Sequence, residues 1–295
     1  MNSEQIEKLI NDWQLWPAIC SERPSTDDFT PLVNGLTNSN ILLTTQDSQS
    51  TKQYVFRFNA PNAQSLGLNR HAEWHIHQSI AQYNICTPFV YRDPKDIYWV
   101  RPYLKNTILH EQLLHSDEDQ VNTLLRQTAK KLKLVHSITA SSAWPKINFK
   151  NRTDHYWKQI FNRIDASNLA LKDTLTHLKE HSDAQLKSSG HTMRLCHMDP
   201  NPNNWIIDSD EIYLIDWEYS AIGDPSWDLA VFCDTCNLTL EQQTLFLKYY
   251  GSARIKYKQL HFAQLQMRYL SALWYCVQNV ISPNNLVDAI IELEL

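Results

Sequence analysis

Glycine is what this chain has least of. It has five in 295 residues, where average usage would give about twenty. Neither Gly-x-Ser-x-Gly nor Gly-x-x-x-x-Gly-Lys-Ser/Thr occurs, which excludes a nucleophile-elbow hydrolase and a P-loop enzyme. No apolar run reaches the roughly 20 residues of a membrane helix, so no membrane association is expected. Positive charge is not in surplus either. The formal net charge is −5, without the basic stripe that a nucleic-acid partner requires. The first residues, Met-Asn-Ser-Glu-Gln-Ile-Glu-Lys, are polar and acidic and do not read as a secretory signal. Six scattered cysteines make no disulfide framework in a chain of this length. A cytoplasmic protein with reduced thiols is expected.

What is present is ordinary globular material, 43% apolar and 20% charged. The length exceeds what one core comfortably holds and fits two lobes. Residues 3–16 have amphipathic helical spacing and stop at Pro17. Strand patterns follow at 28–33, 39–45 and 52–59, a helix at 69–83, and strands at 87–92 and 97–103. Beyond residue 104 the apolar spacing is helical over 117–138, 152–180, 225–249 and 253–280. Only the strand-like runs Trp205-Ile-Ile207 and Ile212-Tyr-Leu-Ile215 interrupt it. The expected architecture is α+β, with a small antiparallel-sheet lobe over 1–104 and a mostly helical lobe over 105–295.

One of the few glycines sits in Asn34-Gly-Leu-Thr-Asn-Ser-Asn40. Asn-Gly marks a hairpin turn. A turn alone and a turn that also covers a phosphate are both consistent with it.

The chemistry concentrates later, in His197-Met-Asp-Pro-Asn-Pro-Asn-Asn204 followed by Ile215-Asp-Trp-Glu218. Phosphoryl transfer needs a carboxylate to receive the substrate hydroxyl and oxygen ligands to hold Mg²⁺ against the phosphates. Asp199, Asn204 and Asp216 can supply both. Singly, an Asp before Pro is usually a turn or cap, and an Asp at a strand end is often solvated. Their joint order on these elements is what carries the reading.

On these residues the chain resembles the aminoglycoside phosphotransferase and choline kinase superfamily, most closely bacterial choline kinases and the related thiamine kinases. The resemblance rests on Gly35-Leu-Thr-Asn38, Tyr54-Val-Phe-Arg57 and Asn69-Arg-His-Ala-Glu73 in the first lobe. In the second it rests on His197-Met-Asp199 with Asn204, Ile215-Asp-Trp-Glu-Tyr219 and Gly223-Asp-Pro-Ser-Trp-Asp-Leu-Ala230. It implies a bilobal protein-kinase-like fold in which ATP, held by the first lobe, phosphorylates a small-molecule alcohol with Mg²⁺. It implies Asp199 as catalytic base and Asn204 and Asp216 as metal ligands. Arg57 would grip phosphate with its planar fork, held by Glu73, while Gly35, Thr37 and Asn38 cover the phosphates. His197 would brace the catalytic loop, and Asp228 would bond to its backbone. Asp224 before Pro225 fits an N-cap followed by proline at the first helical position. The departures are Asn34 in place of a glycine before Gly35 and the proline-rich run Pro200-Asn-Pro202.

Other patterns carry less. His71 and His75 share a helical face, but His71-Ala-Glu-Trp-His75 is not His-Glu-x-x-His, and no zinc site is expected there. Cys233-Asp-Thr-Cys236 lacks a second ligand pair and reads as structural thiols. The second lobe is rich in aromatics, whose faces attract quaternary or delocalised cations. Trp217, Trp227 and Trp274, with Glu218, are the candidate substrate contacts. Segment 152–180 has only Asp154, Asp165, Asp173 and Glu180 as carboxylates, not the acidic run that a polycationic aminoglycoside would favour. Choline or ethanolamine is therefore the expected substrate, with thiamine as the alternative. An aminoglycoside kinase and a catalytically silent kinase fold remain further alternatives. A protein kinase is disfavoured, since no activation segment separates Asp216 from Gly223.

Overall fold

The computed structural model describes residues 2–32, 38–46, 50–61, 63, 66–104, 107–187, 193–208, 211–251 and 257–295. In chain order, helix α1 (Asn2–Asp12) precedes strands β1 (Phe29–Pro31), β2 (Ser39–Gln46) and β3 (Thr51–Phe58). Helix α2 (Arg70–Ala81) and strands β4 (Tyr91–Arg92), β5 (Tyr98–Pro102) and β6 (Thr107–Ile108) follow. Next come helices α3 (Leu109–His115), α4 (Glu118–Ser137), α5 (Phe149–Arg163) and α6 (Leu169–Gln185). Four short strands, β7 (Arg194–Cys196), β8 (Trp205–Asp208), β9 (Glu211–Leu214) and β10 (Ala221–Gly223), lead to the last helices. These are α7 (Pro225–Thr235), α8 (Leu240–Tyr250), α9 (Tyr257–Val277) and α10 (Pro283–Ile291).

The chain forms two compact units, Met1–Thr107 with Ile206–Glu218, and Ile108–Trp205 with Tyr219–Leu295. This differs from a single cut after residue 104. The segment bearing Asp216 returns to the first unit, where the Leu214 N–H donates to the Ile85 carbonyl at 2.9 Å.

In the first unit the sheet runs β1-β2-β3-β5-β4, and each neighbouring pair is antiparallel. Alternation along β3 sends Phe56 and Phe58 to one face, where they join Leu9, Trp16, Phe29, Ile41 and Tyr98. The Trp16 and Phe56 rings meet edge to face at 5.1 Å. Burying one such aromatic contributes about 1.5–3 kcal/mol. On β3, Arg57 lies opposite Asn40 on one side and Trp99 on the other. Helix α2 begins at Asn69, whose side chain accepts from the Ala72 N–H. Its buried residues, Ala72, Glu73, Ile76, His77 and Ile80, form one stripe. Glu73 is thereby turned inward.

In the second unit, Asp224 caps α7 by accepting from the Ser226 N–H at 2.9 Å, with Pro225 in the first turn. Strands β7 and β10 pair antiparallel, Cys196 opposite Ala221. Two expected helices are each divided. Segment 152–180 falls into α5 and α6 because Asp165 accepts from the Ser167 N–H and Asn168 caps α6. Segment 225–249 breaks into α7 and α8 at the Thr239–Gln242 capping box. Helices α3 and α10 lie outside the helical patterns of the sequence. No helix among the described residues is long and apolar enough to cross a membrane.

Candidate functional site

The second unit builds the Asp199 loop. Strand β7 ends at Cys196, and the chain turns through Met198, which takes a left-handed φ of 74°. Such a backbone is strained for a residue with a side chain. It is held by Asp228 on α7, a fully buried carboxylate that accepts from the backbone N–H groups of His197 at 2.7 Å and Met198 at 2.8 Å. A third contact reaches Asp228 from His136 Nε2 at 3.0 Å, and His136 Nδ1 meets the Tyr250 hydroxyl at 2.8 Å. Asp228 thus bonds to the backbone of the Asp199 loop, with His136 as a further partner. His136, Cys196 and Asp228 lie close enough together to suggest a metal cluster. Both imidazole nitrogens and both Asp228 oxygens already have partners, so the cluster is a hydrogen-bond hub. His197 is fully buried, and its Nδ1 accepts from the Asp199 N–H at 3.2 Å.

Asp199 is framed by amides. Asn201 donates to one carboxylate oxygen at 2.9 Å, and Asn204 donates to the other at 3.1 Å and to the Asp199 carbonyl at 2.8 Å. The proline-rich run suits this turn. Asn201 caps a short helical turn over Pro202–Asn204 that has proline in its first position. Trp205 is fully enclosed and donates its indole N–H to the Pro200 carbonyl at 3.0 Å. Because the Asn204 NH₂ is spent on Asp199, its carbonyl oxygen is the atom suited to a hard cation.

The first unit gathers Arg57, Glu73, Arg70, Glu218, Asn38 and Asp216. Arg57 Nη1 lies 2.6 Å from Glu73 and 3.4 Å from Asp216, and Nη2 donates to Asn59 at 3.0 Å. The guanidinium also lies over the Trp99 ring at 4.7 Å and the Phe89 ring at 5.5 Å. Burial works against its charge, but Glu73, Asp216 and Glu218 outweigh this and raise its pKa above the ordinary value. The fork expected to grip phosphate is therefore already engaged by protein groups. Asp216, also at a left-handed φ of 64°, keeps 34% of its side chain exposed.

Sequence reasoning missed Arg70. Its guanidinium meets Glu73 at 2.8 Å, Glu218 at 3.1 Å and the Asn38 amide oxygen at 3.0 Å. The Asn38 NH₂ completes the network by donating to Glu218 at 2.7 Å. Asn38 is buried and its side-chain amide is engaged in this network. Gly35 and Thr37, and the turn expected at Asn34-Gly35, lie outside the described residues.

The candidate substrate contacts are corrected in part. Trp217 is fully enclosed and donates to the Leu214 carbonyl, and Trp227 is enclosed and donates to Gln266. Their ring faces are packed in core. Glu218 is committed to Arg70 and Asn38. Trp274 alone stays half-buried, donating to the Tyr219 hydroxyl at 2.9 Å beside the exposed ring of Tyr275. Of Cys233 and Cys236, the first is buried inside α7 and the second sits at its C-cap, and burial raises both thiol pKa values.

Comparison with known proteins bears on the family and the fold. Residues 28–265 match the model of a family described as the phosphotransferase enzyme family. Protein LicA of Haemophilus influenzae is 26% identical over 262 residues, which span 84% of this chain and 70% of that protein. Two further curated relatives are matched over 33% and 60% of their own length. The choline kinase LicA from Streptococcus pneumoniae superposes with a TM-score of 0.70 at 20% identity, covering 95% of this chain and 97% of that one. A choline/ethanolamine kinase family protein from Mesorhizobium loti gives 0.71 at 17% identity, covering 99% and 93%. These likenesses give the chain the kinase-like fold that the resemblance implied, and the match over most of its length carries the family. The chain belongs to the phosphotransferase enzyme family.

Proposed function

We propose that this phosphotransferase moves the γ-phosphoryl group of ATP to the hydroxyl of a cationic alcohol, choline or ethanolamine. The observation that favours a cationic substrate is the aromatic group Tyr219, Trp274 and Tyr275. The Trp274 ring stands edge-on to Tyr219 at 6.5 Å and to Tyr275 at 5.3 Å, and these rings are not sealed in the core. Open aromatic faces attract an ammonium group by roughly 0.5–2 kcal/mol each. Two of the structural relatives, a choline kinase and a choline/ethanolamine kinase family protein, support the same reading.

In this reading Asp199 is the base. Its carboxylate, oriented by Asn201 and Asn204, takes the hydroxyl proton as the substrate oxygen attacks phosphorus. Asn204, through its carbonyl oxygen, and Asp216, through its partly exposed carboxylate, are oxygen donors of the kind Mg²⁺ prefers. Mg²⁺ held by donors of this kind would neutralise charge on the phosphate oxygens. Arg57 adds a fixed positive charge, held by Glu73. Its work is orientation and electrostatics, which is most of what phosphoryl transfer asks of a protein.

The test is ADP release with MgATP over choline, ethanolamine, thiamine and a panel of aminoglycosides. Turnover highest on choline or ethanolamine is expected. Preference for thiamine or an aminoglycoside would replace the substrate, and no turnover together with no ATP binding would replace the activity.

A further inference from the structure

The histidine pair on α2 has no part in this chemistry, yet its geometry is specific. His71 and His75 are both exposed, one helical turn apart, and their Nε2 atoms converge to 3.2 Å. The ring centroids are 4.4 Å apart and the rings stand at 61° to each other. Two nitrogens bound to one tetrahedral zinc, each at about 2.0–2.1 Å, are separated by roughly 3.3–3.4 Å. The pair already has nearly that bite. Spacing of four along a helix brings both side chains to one face, so little ordering is needed to chelate.

The sequence pattern alone gives no expectation of zinc here, and the geometry reverses that reading. We propose that His71 and His75 form a two-nitrogen surface site for a borderline divalent cation of the zinc class, with water in the remaining positions. Imidazole suits zinc, copper and nickel, whereas Mg²⁺ prefers oxygen, so this site and the catalytic metal do not compete for the same ion. Among the described residues the one group of three potential ligands is His136, Cys196 and Asp228. No third protein ligand therefore joins the pair there, and open positions are expected. His77, two residues on, belongs to the opposite face. It is buried against Phe89 at 4.1 Å and takes no part.

The location gives the site a consequence. The two histidines bracket Glu73, whose inward carboxylate meets Arg57 and Arg70. A chelate between positions 71 and 75 would lock that turn in helical form. A ligand that binds only the folded chain also stabilises it by mass action.

Calorimetric titration of the full chain with zinc chloride, without nucleotide or Mg²⁺, tests this. His71→Gln, His75→Gln and the double variant serve as comparisons, with circular dichroism to verify their fold. Both positions are exposed, so the glutamines leave the core alone. The wild-type chain should take up one zinc equivalent that the double variant lacks. Each single variant should bind that equivalent about tenfold more weakly or worse. Zinc should raise the Tm of the wild-type chain and not that of the double variant. Equal zinc stoichiometry and affinity in the wild-type and double-variant chains would overturn the proposal. So would no zinc uptake by the wild-type chain, which would leave the contact as a plain imidazole hydrogen bond. Neither outcome depends on which alcohol the enzyme phosphorylates.

Discussion

Arg70 and Glu218 lie 148 positions apart in the sequence and 3.1 Å apart in the fold. Their contact closes a network in which two arginines meet two buried glutamates, with Asp216 at its edge. Arg70→Met would leave Glu218 a buried carboxylate with only Asn38 of these partners. Breaking such a pair costs about 3–5 kcal/mol. The double variant Arg70→Met/Glu218→Gln should recover part of that loss, because it removes the stranded charge. Urea unfolding of the two single variants and the double variant measures the recovery. Additive losses would show that the pair is not coupled.

Asp199→Ala should lower turnover by on the order of 10²–10⁴-fold while leaving the unfolding transition in place. Steady-state ADP release on the preferred alcohol checks it. A near-normal rate would remove Asp199 from the proton transfer.

Asp228→Ala should affect both stability and rate. It strands the His197 and Met198 N–H groups and His136 Nε2, at about 1–3 kcal/mol for each buried polar group left unpaired. Without those bonds Met198 can leave its left-handed backbone and Asp199 moves with it. The expected signature is a lower Tm together with a kcat loss measured well below that Tm.

Gly223→Ala tests packing. A Cβ on Gly223 would lie 3.1 Å from the Trp227 ring and 3.4 Å from Met198 Sδ. Trp227 is fixed by its bond to Gln266 at 2.8 Å and cannot swing aside. A cost of roughly 1–3 kcal/mol is expected, readable as a lower urea midpoint at unchanged slope.

Acid should act through His77. Burial, then Arg57 and Arg101, pull its pKa down to about 3. In the unfolded chain it takes up a proton near pH 6.5, so between those values the unfolded state holds more protons. The contribution is complete above about pH 6.5 and is lost as pH falls towards 3, at about 1.4 kcal/mol per pH unit within that window. His77→Gln should show a shallower fall of stability over this range. Parallel wild-type and variant curves would place the acid sensitivity elsewhere.

The sequence made legible what depends on local order. The Asp199–Asn204 spacing and the Asp224-Pro225 cap lie in short, patterned stretches, whereas the Arg57–Glu73 pairing is implied only by the family resemblance. What it concealed depends on distance or on packing. Arg70 is an unremarkable residue in the first turn of a helix until the fold returns Glu218 to it. Asn38 sits in a motif that suggests phosphate contact, which gives no sign that its amide is engaged in that same ion network. Trp217 and Trp227 look like ligand aromatics because composition cannot tell an enclosed ring from an open one. Trp274 differs from them only in being left partly uncovered. His136 falls on the regular stripe of α4 and gave no signal of its bond to Asp228.

The left-handed backbones at Met198 and Asp216 also limit how this sequence can drift. At such a position glycine, asparagine and aspartate are tolerated far better than other residues. The metal-binding role proposed for Asp216 leaves only aspartate among those three with a carboxylate. Position 198 has more latitude, because its constraint is conformational and not chemical. In a set of variants selected for activity, position 216 should therefore be invariant. Position 198 should admit asparagine or glycine before valine or isoleucine, although either aliphatic would fill the space more like methionine.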